Sequence, residues 1–142
     1  MRNILIIGAG RSASSLIKYL LNKSVSEKLH LTIGDLSLAL AERKTNNHPN
    51  ATPIALDIFD IDQRNAEIQK ADIVISMLPA HLHIEVAKDC IIHKKHLVTA
   101  SYISDAMQEL DAAAKENNLV FMSEIGLDPG IDHISAMKII DE

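Results

Sequence analysis

One feature constrains the fold more than any other. A short apolar run, Ile4-Leu5-Ile6-Ile7, stops at Gly8-Ala9-Gly10-Arg11-Ser12-Ala13 and passes directly into a helical stripe with apolar positions 13, 16, 17, 20 and 21. A continuous apolar run of this length bounded by glycine reads as a strand buried on both faces, so helices must cover the sheet on either side. The same unit repeats down the chain. Strands are predicted over Leu29–Ile33, Pro53–Leu56, Ile73–Ile75 (within Asp72–Leu78), His96–Ala100 and Leu119–Met122. Helices are predicted over Arg11–Asn22, Leu36–Lys44, Ile61–Gln69, Ile84–Ile92 and Ser104–Glu116, with Ser104 as N-cap and Asn117-Asn118 as stop. Strand–helix alternation of this kind makes an α/β doubly wound parallel sheet of about six strands, a Rossmann fold.

Composition agrees and excludes other classes. The 142 residues fit one domain at roughly 150 residues each. With 47% hydrophobic residues and only 3% aromatic, the core must be aliphatic. No apolar run approaches about 18 residues, so no membrane span is expected, and the N-terminal run is too short for a signal peptide. A net charge of −5 without a basic block argues against nucleic acid as a partner. The single cysteine, Cys90, excludes an internal disulfide, fits a reducing cytoplasm, and lies on a helical face where packing is its expected role.

The first strand–turn–helix fits G-x-G-x-x-A. Gly8 permits the tight turn, Gly10 lets a pyrophosphate approach the backbone, and Ala13 lets the helix lie close to the sheet. Arg11 and Ser12 complete the turn, and the helix N-terminus offers free N–H groups to phosphate. Asp35 closes the second strand and is placed to accept both ribose hydroxyls, or to cap the helix that follows. Its charge opposes a 2′-phosphate, favouring NAD over NADP. Asp57, ending the third strand, is either an acceptor for the adenine amino group with Ile58 against the ring, or a loop acid or cap. Leu78-Pro79 follows the fourth strand on the other side of the switch point.

Seven histidines raise the question of a metal, but the only close pair, His81-x-His83, lacks a third ligand. It reads as a solvated loop-to-helix pair, and no metal site is expected. The tail segment Gly126-Leu127-Asp128-Pro129-Gly130-Ile131-Asp132-His133 lies beyond the sixth strand, at the edge where such sheets bind ligands. Ala100-Ser101-Tyr102 ends the fifth strand at that same edge. A phenol and carboxylates there can bind an ammonium or move a proton from a secondary amine; the alternative is a rigid turn and a cap.

Taken together, Gly8-Ala9-Gly10, Asp35, Asp57, Leu78-Pro79, Thr99-Ala100-Ser101-Tyr102 and the Gly126–His133 segment resemble the saccharopine dehydrogenase family, glutamate-forming branch. The resemblance implies nicotinamide-dependent oxidation of saccharopine to glutamate and aminoadipate semialdehyde, or the reverse, in lysine metabolism. It implies that Gly10, Arg11, Ser12 and Ala13 hold the pyrophosphate, Asp35 and Asp57 the ribose and adenine, and Leu78, Ala100, Leu127 and Pro129 the rest of the cofactor. Ser101, Tyr102 and Asp128 would touch an amino-acid substrate, with Tyr102 and Asp128 the catalytic candidates. Fungal members carry a basic or neutral residue where Asp35 stands and use NADP, so this departure supports NAD here, with NADP as the alternative. Dehydrogenases of carboxynorspermidine or lysine, and a non-catalytic dinucleotide-sensing module, share these features and stay open as readings.

The final helical pattern, with Ile131, Ile134, Met137 and Ile140 at spacing three, stops at Asp141-Glu142 without a cap. Residues 1–130 are therefore expected to form the dinucleotide domain, and 131–142 the start of a connection to a further, substrate-recognising domain. The apolar helix face could otherwise meet a second copy, giving a homodimer.

Overall fold

The computed structural model describes residues 1–141. Its strands are β1 (Arg2–Ile7), β2 (Leu29–Asp35), β3 (Ala51–Ala55), β4 (Ile73–Ser76), β5 (His96–Thr99) and β6 (Phe121–Met122). They form one sheet in the order β3-β2-β1-β4-β5-β6, every pairing parallel. The helices are α1 (Ser14–Lys23), α2 (Leu38–Thr45), α3 (Ile61–Lys70), α4 (His83–His93), α5 (Asp105–Gln108), α6 (Asp111–Glu116) and α7 (Ile131–Asp141). A single 3₁₀ turn, Ala80–Leu82, precedes α4. The order reverses between β1 and β4, opening the crevice in which doubly wound sheets bind ligands.

Successive side chains of a strand point to opposite faces, and β1 feeds two cores accordingly. Leu5 and Ile7 pack with Val74, Leu97, Ile68, Val86 and Cys90 on the α3/α4 side. Ile4 and Ile6 pack with Leu31, Ile33, Ile17, Leu21 and Ala41 on the α1/α2 side. Double coverage explains why β1 and β4 read as unbroken apolar runs rather than alternating ones. Among the described residues, no helix is long and apolar enough to cross a membrane.

Several element ends are shifted by a residue or two, and three departures from the sequence expectation have a visible backbone cause. Helix α1 starts at Ser14 rather than Arg11: Arg11–Ala13 form a turn whose carbonyl at Arg11 accepts the Ser14 N–H at 3.2 Å. The helix expected over Ser104–Glu116 is two short helices. Ser104 does cap the first, accepting from the Met107 N–H, but at Leu110 the backbone tightens onto Met107 O and the axis restarts. Strand β6 is confined to Phe121–Met122 because the preceding N–H groups are already spent: Leu119 N–H on Ala114 O and Val120 N–H on His96 Nδ1.

Candidate functional site

The Gly8–Ala13 turn sits on top of the central strand. Gly8 has φ +105°, a left-handed backbone that disfavours any side chain, and a Cβ there would lie 2.9 Å from the Met77 carbonyl oxygen. Its N–H donates to Gly34 O on β2 at 2.8 Å. Gly10 is different: a Cβ built on it would meet nothing within 4 Å. The protein's own packing gives no reason for glycine at that position, whereas a pyrophosphate laid against the helix N-terminus does. The residues present therefore fit a dinucleotide. Ala13 is fully buried under the turn, while Arg11 and Ser12 are exposed beside it.

Asp35 accepts from the Ala9 N–H at 2.7 Å and from the Ser37 N–H at 2.9 Å. Its carboxylate thus braces the glycine turn against the start of α2. It does not cap α2, which begins two residues beyond Leu36. Asp57 accepts from the Phe59 N–H at 2.9 Å. The cap of α3 is Asp60, which accepts from the Gln63 N–H at 3.0 Å, so of the two structural roles left open for Asp57 only the loop acid survives. Gln63 bridges the same loop, its Oε1 accepting from Asp57 N–H and its Nε2 donating to Ala55 O. Beneath it, buried Arg64 donates to Ile58 O and pairs with buried Asp89 on α4, each at 2.5 Å. Gly8, Asp35, Asp57, Ile58 and Leu78 all line one cavity of about 160 Å³ on this side of the turn. Pro79 follows, exposed, outside its walls.

On the other side of the turn lies a cavity of about 630 Å³. Its walls include Ser12, Met77 and Ala100, with Gly126, Leu127 and Gly130 of the tail segment and Ile131 and Ile134 of α7. The tail is a compact loop in which Gly126 N–H donates to Pro129 O at 2.8 Å and the Asp128–Pro129 peptide is cis. Pro129 is buried under it.

At the rim, Tyr102 donates its hydroxyl to Asp128 Oδ1 at 2.7 Å, joining residues 26 positions apart. The hydrogen bond to Asp128 is the main reason the phenol is pushed up to about 12; partial desolvation and the charges of Asp128, Asp132 and Glu124 add to it. Desolvation raises Asp132, but the backbone N–H groups of His133 and Gly130 and the His133 ring outweigh it and hold the acid below its usual value. The His133 ring meets Tyr102 edge-on, centroids 6.3 Å apart. Tyr102 is 58% exposed, so this group faces outward rather than into the core.

Several functional-looking residues escape sequence reasoning. The expected solvated His81/His83 pair is split: His81 is exposed, but His83 is buried at 3% exposure, with its ring between Ser76, Thr99 and Ser101. Desolvation, with a smaller push from His81, lowers its pKa. The signal was available as polar residues ending two buried strands, since Ser76 and Thr99 are register partners on β4 and β5. Glu124 was also missed. It accepts from Ile103 N–H at 3.0 Å, and its own N–H donates to Ser101 O at 3.1 Å, latching the Tyr102 loop to the tail. Cys90 is fully buried and, chiefly by desolvation, pushed up to about 12, as packing requires.

Comparison with known proteins gives a consistent answer. A family profile described as the saccharopine dehydrogenase NADP binding domain matches residues 4–122. The chain is 40% identical over 141 residues to saccharopine dehydrogenase [NADP(+), L-glutamate-forming] of Pyricularia oryzae, covering 99% of this chain and 30% of that protein. It is 35% identical over 156 residues to alpha-aminoadipic semialdehyde synthase of Arabidopsis thaliana, covering 98% of this chain and 15% of the relative. The solved apo saccharopine dehydrogenase (L-Glu forming) of Saccharomyces cerevisiae superimposes with a TM-score of 0.87 at 35% identity, covering 99% of this chain and 31% of that one. The chain spans about 30% of the length of these dehydrogenases.

Proposed function

The chain belongs to the saccharopine dehydrogenase family, and from that premise we propose that it is the dinucleotide-binding part of an oxidoreductase that oxidises saccharopine to glutamate and aminoadipate semialdehyde, or runs the reverse condensation. The observation that carries the reading is the Tyr102–Asp128 hydrogen bond, which sets an acid–base pair at the strand ends beside the larger cavity. Residues 1–130 would form the cofactor domain, and α7 would lead toward a domain that recognises the rest of the substrate.

A bound nicotinamide would supply the acceptor for a hydride from the carbon bearing the secondary amine. The chain's own residues must do the rest. Gly10, Ser12 and the α1 N-terminus would hold the pyrophosphate, Asp35 the ribose, and Asp57 with Ile58 the adenine. Leu78, Ala100 and Leu127 would press on the cofactor, whereas Pro129, buried under the tail loop, lines neither cavity. Before hydride leaves, the amine must be neutral. A phenol pushed up to about 12 stays protonated at neutral pH, so Tyr102 acts as a donor and Asp128 as the acceptor of the ammonium proton. After hydride transfer, water adds to the resulting C=N bond and the two amino-acid fragments separate. Ser101, one residue before Tyr102, would contact the substrate.

For the cofactor we propose NAD(H), although the fungal relatives are named for NADP(+). On this reading the Asp35 carboxylate would face a 2′-phosphate. At about 4 Å, like charges repel by about 1 kcal/mol in bulk water and about 4 kcal/mol near a protein surface. Asp35 is half-buried and partly screened, so an NADH preference near tenfold is expected. The compartment we propose is the cytoplasm.

The test is turnover of saccharopine by the full-length protein, followed by glutamate release, with parallel titrations of NADH and NADPH and of Asp35→Asn. Turnover with tighter NADH binding, lost in Asp35→Asn, supports both readings. Absence of turnover overturns the substrate; tighter NADPH binding in the parent protein overturns the role given to Asp35.

A further inference from the structure

We infer that His83 is a positioning residue for this reaction, a neutral buried imidazole that fixes the Ser101 hydroxyl at the substrate face; the inference rests on the function proposed above. The ring spans the ends of two neighbouring strands. Its Nδ1 lies 2.8 Å from Ser76 Oγ at the end of β4, and its Nε2 lies 2.8 Å from Ser101 Oγ and 3.1 Å from Thr99 Oγ1 at the end of β5. Ser76 and Thr99 are themselves buried.

Among the described residues, all the ring's partners are hydroxyls, with no carboxylate to stabilise an imidazolium. A neutral imidazole has one N–H and one lone pair, and the tautomer decides which end donates. With Nε2 bare, Ser101 directs its O–H inward and turns lone pairs to the substrate. With the proton on Nε2, the Ser101 O–H is free to donate outward. In either case the imidazole fixes the polarity that Ser101 presents.

The rest of Ser101 is pinned in the same way. Its N–H donates to Thr99 Oγ1 at 3.2 Å, and its carbonyl accepts from Glu124 N–H at 3.1 Å. The next residue is Tyr102, whose hydroxyl reaches Asp128. His83 therefore anchors from below the segment that carries Tyr102, one half of the acid–base pair, without touching substrate itself.

Two amide variants of the full-length enzyme separate positioning from packing. His83→Gln puts an amide near the place of Nε2 and keeps a partner for Ser101. His83→Asn reaches only the place of Nδ1 and leaves Ser101 free. Losing one such hydrogen bond is expected to raise KM for saccharopine about tenfold in His83→Asn and within about twofold in His83→Gln, with the dinucleotide Kd of both within about twofold of the parent. Crystals should show Ser101 Oγ unmoved in the Gln variant and rotated in the Asn variant. The inference is overturned if His83→Asn leaves KM unchanged, if both variants lose equally, or if dinucleotide affinity falls in step with KM. Should the parent enzyme leave saccharopine untouched, the functional reading alone fails. The Ser101 rotamer then decides the inference: rotation in the Asn variant supports it, and an unmoved hydroxyl refutes it.

Discussion

Arg64→Met should be among the most damaging single changes outside the site. Arg64 and Asp89 are each 5% exposed, paired between α3 and α4, and Arg64 also donates to Ile58 O. Methionine fills much of the arginine stem but leaves a carboxylate and a carbonyl buried without a donor. Removing one partner of a buried pair costs about 3–5 kcal/mol, and a lost carbonyl partner about 1 kcal/mol more. In Arg64→Met/Asp89→Leu the stranded charge disappears, so the expected loss falls to about 1–2 kcal/mol. For a domain stable by about 5–15 kcal/mol, the single change should lower Tm by about 10 °C or more, the double by less than half of that. Circular dichroism melts of the single and double variants measure the pair directly. Because Ile58 lines the same cavity as Gly8 and Asp35, a dinucleotide titration of the double variant should also show weakened binding at temperatures where it is fully folded. A single variant melting within about 2 °C of the parent, or a double variant as unstable as the single, refutes the reasoning.

Other outcomes follow from the site geometry. Asp128→Asn should bring the Tyr102 ionisation down from about 12 toward about 10, read as tyrosinate absorbance in an alkaline titration. Since the folded value is the raised one, the stabilising contribution of this pair is complete below pH about 10 and is lost as pH rises through about 12; high-pH melts of the parent against Asp128→Asn test the sign. Gly10→Ala should melt with the parent, since its Cβ meets nothing, yet bind dinucleotide about tenfold more weakly by calorimetry. Gly8→Ala, strained at φ +105° and pressed on Met77 O, should lose stability as well as binding.

The fold was legible because the central strands β1 and β4 are buried on both faces. An aliphatic run such as Ile4–Ile7 cannot sit at a solvated face, and the glycines and polar helices between such runs force right-handed parallel crossovers. Helix ends were less legible. Nothing in Ser104–Glu116 breaks a helix locally, yet the backbone turns at Leu110, where Met107 and Ala114 are each drawn into the core. The two halves of the site were named as separate sequence motifs, and Tyr102 and Asp128 could be singled out by chemistry. That the Tyr102 hydroxyl donates to Asp128 at 2.7 Å is a property of where β5 and the tail loop meet.

By itself, then, the sequence determined the sheet and the turn at Gly8–Ala13, which rest on periodicity and on residue types at short spacing, while the family showed in the resemblance of its motifs. Tertiary structure alone decided the burial of His83 among three hydroxyls, the Arg64–Asp89 pair under the Asp57 loop, and the raised phenol of Tyr102. Each joins residues from different elements. The desolvation and directed hydrogen bonds that define them come into being only when the chain packs.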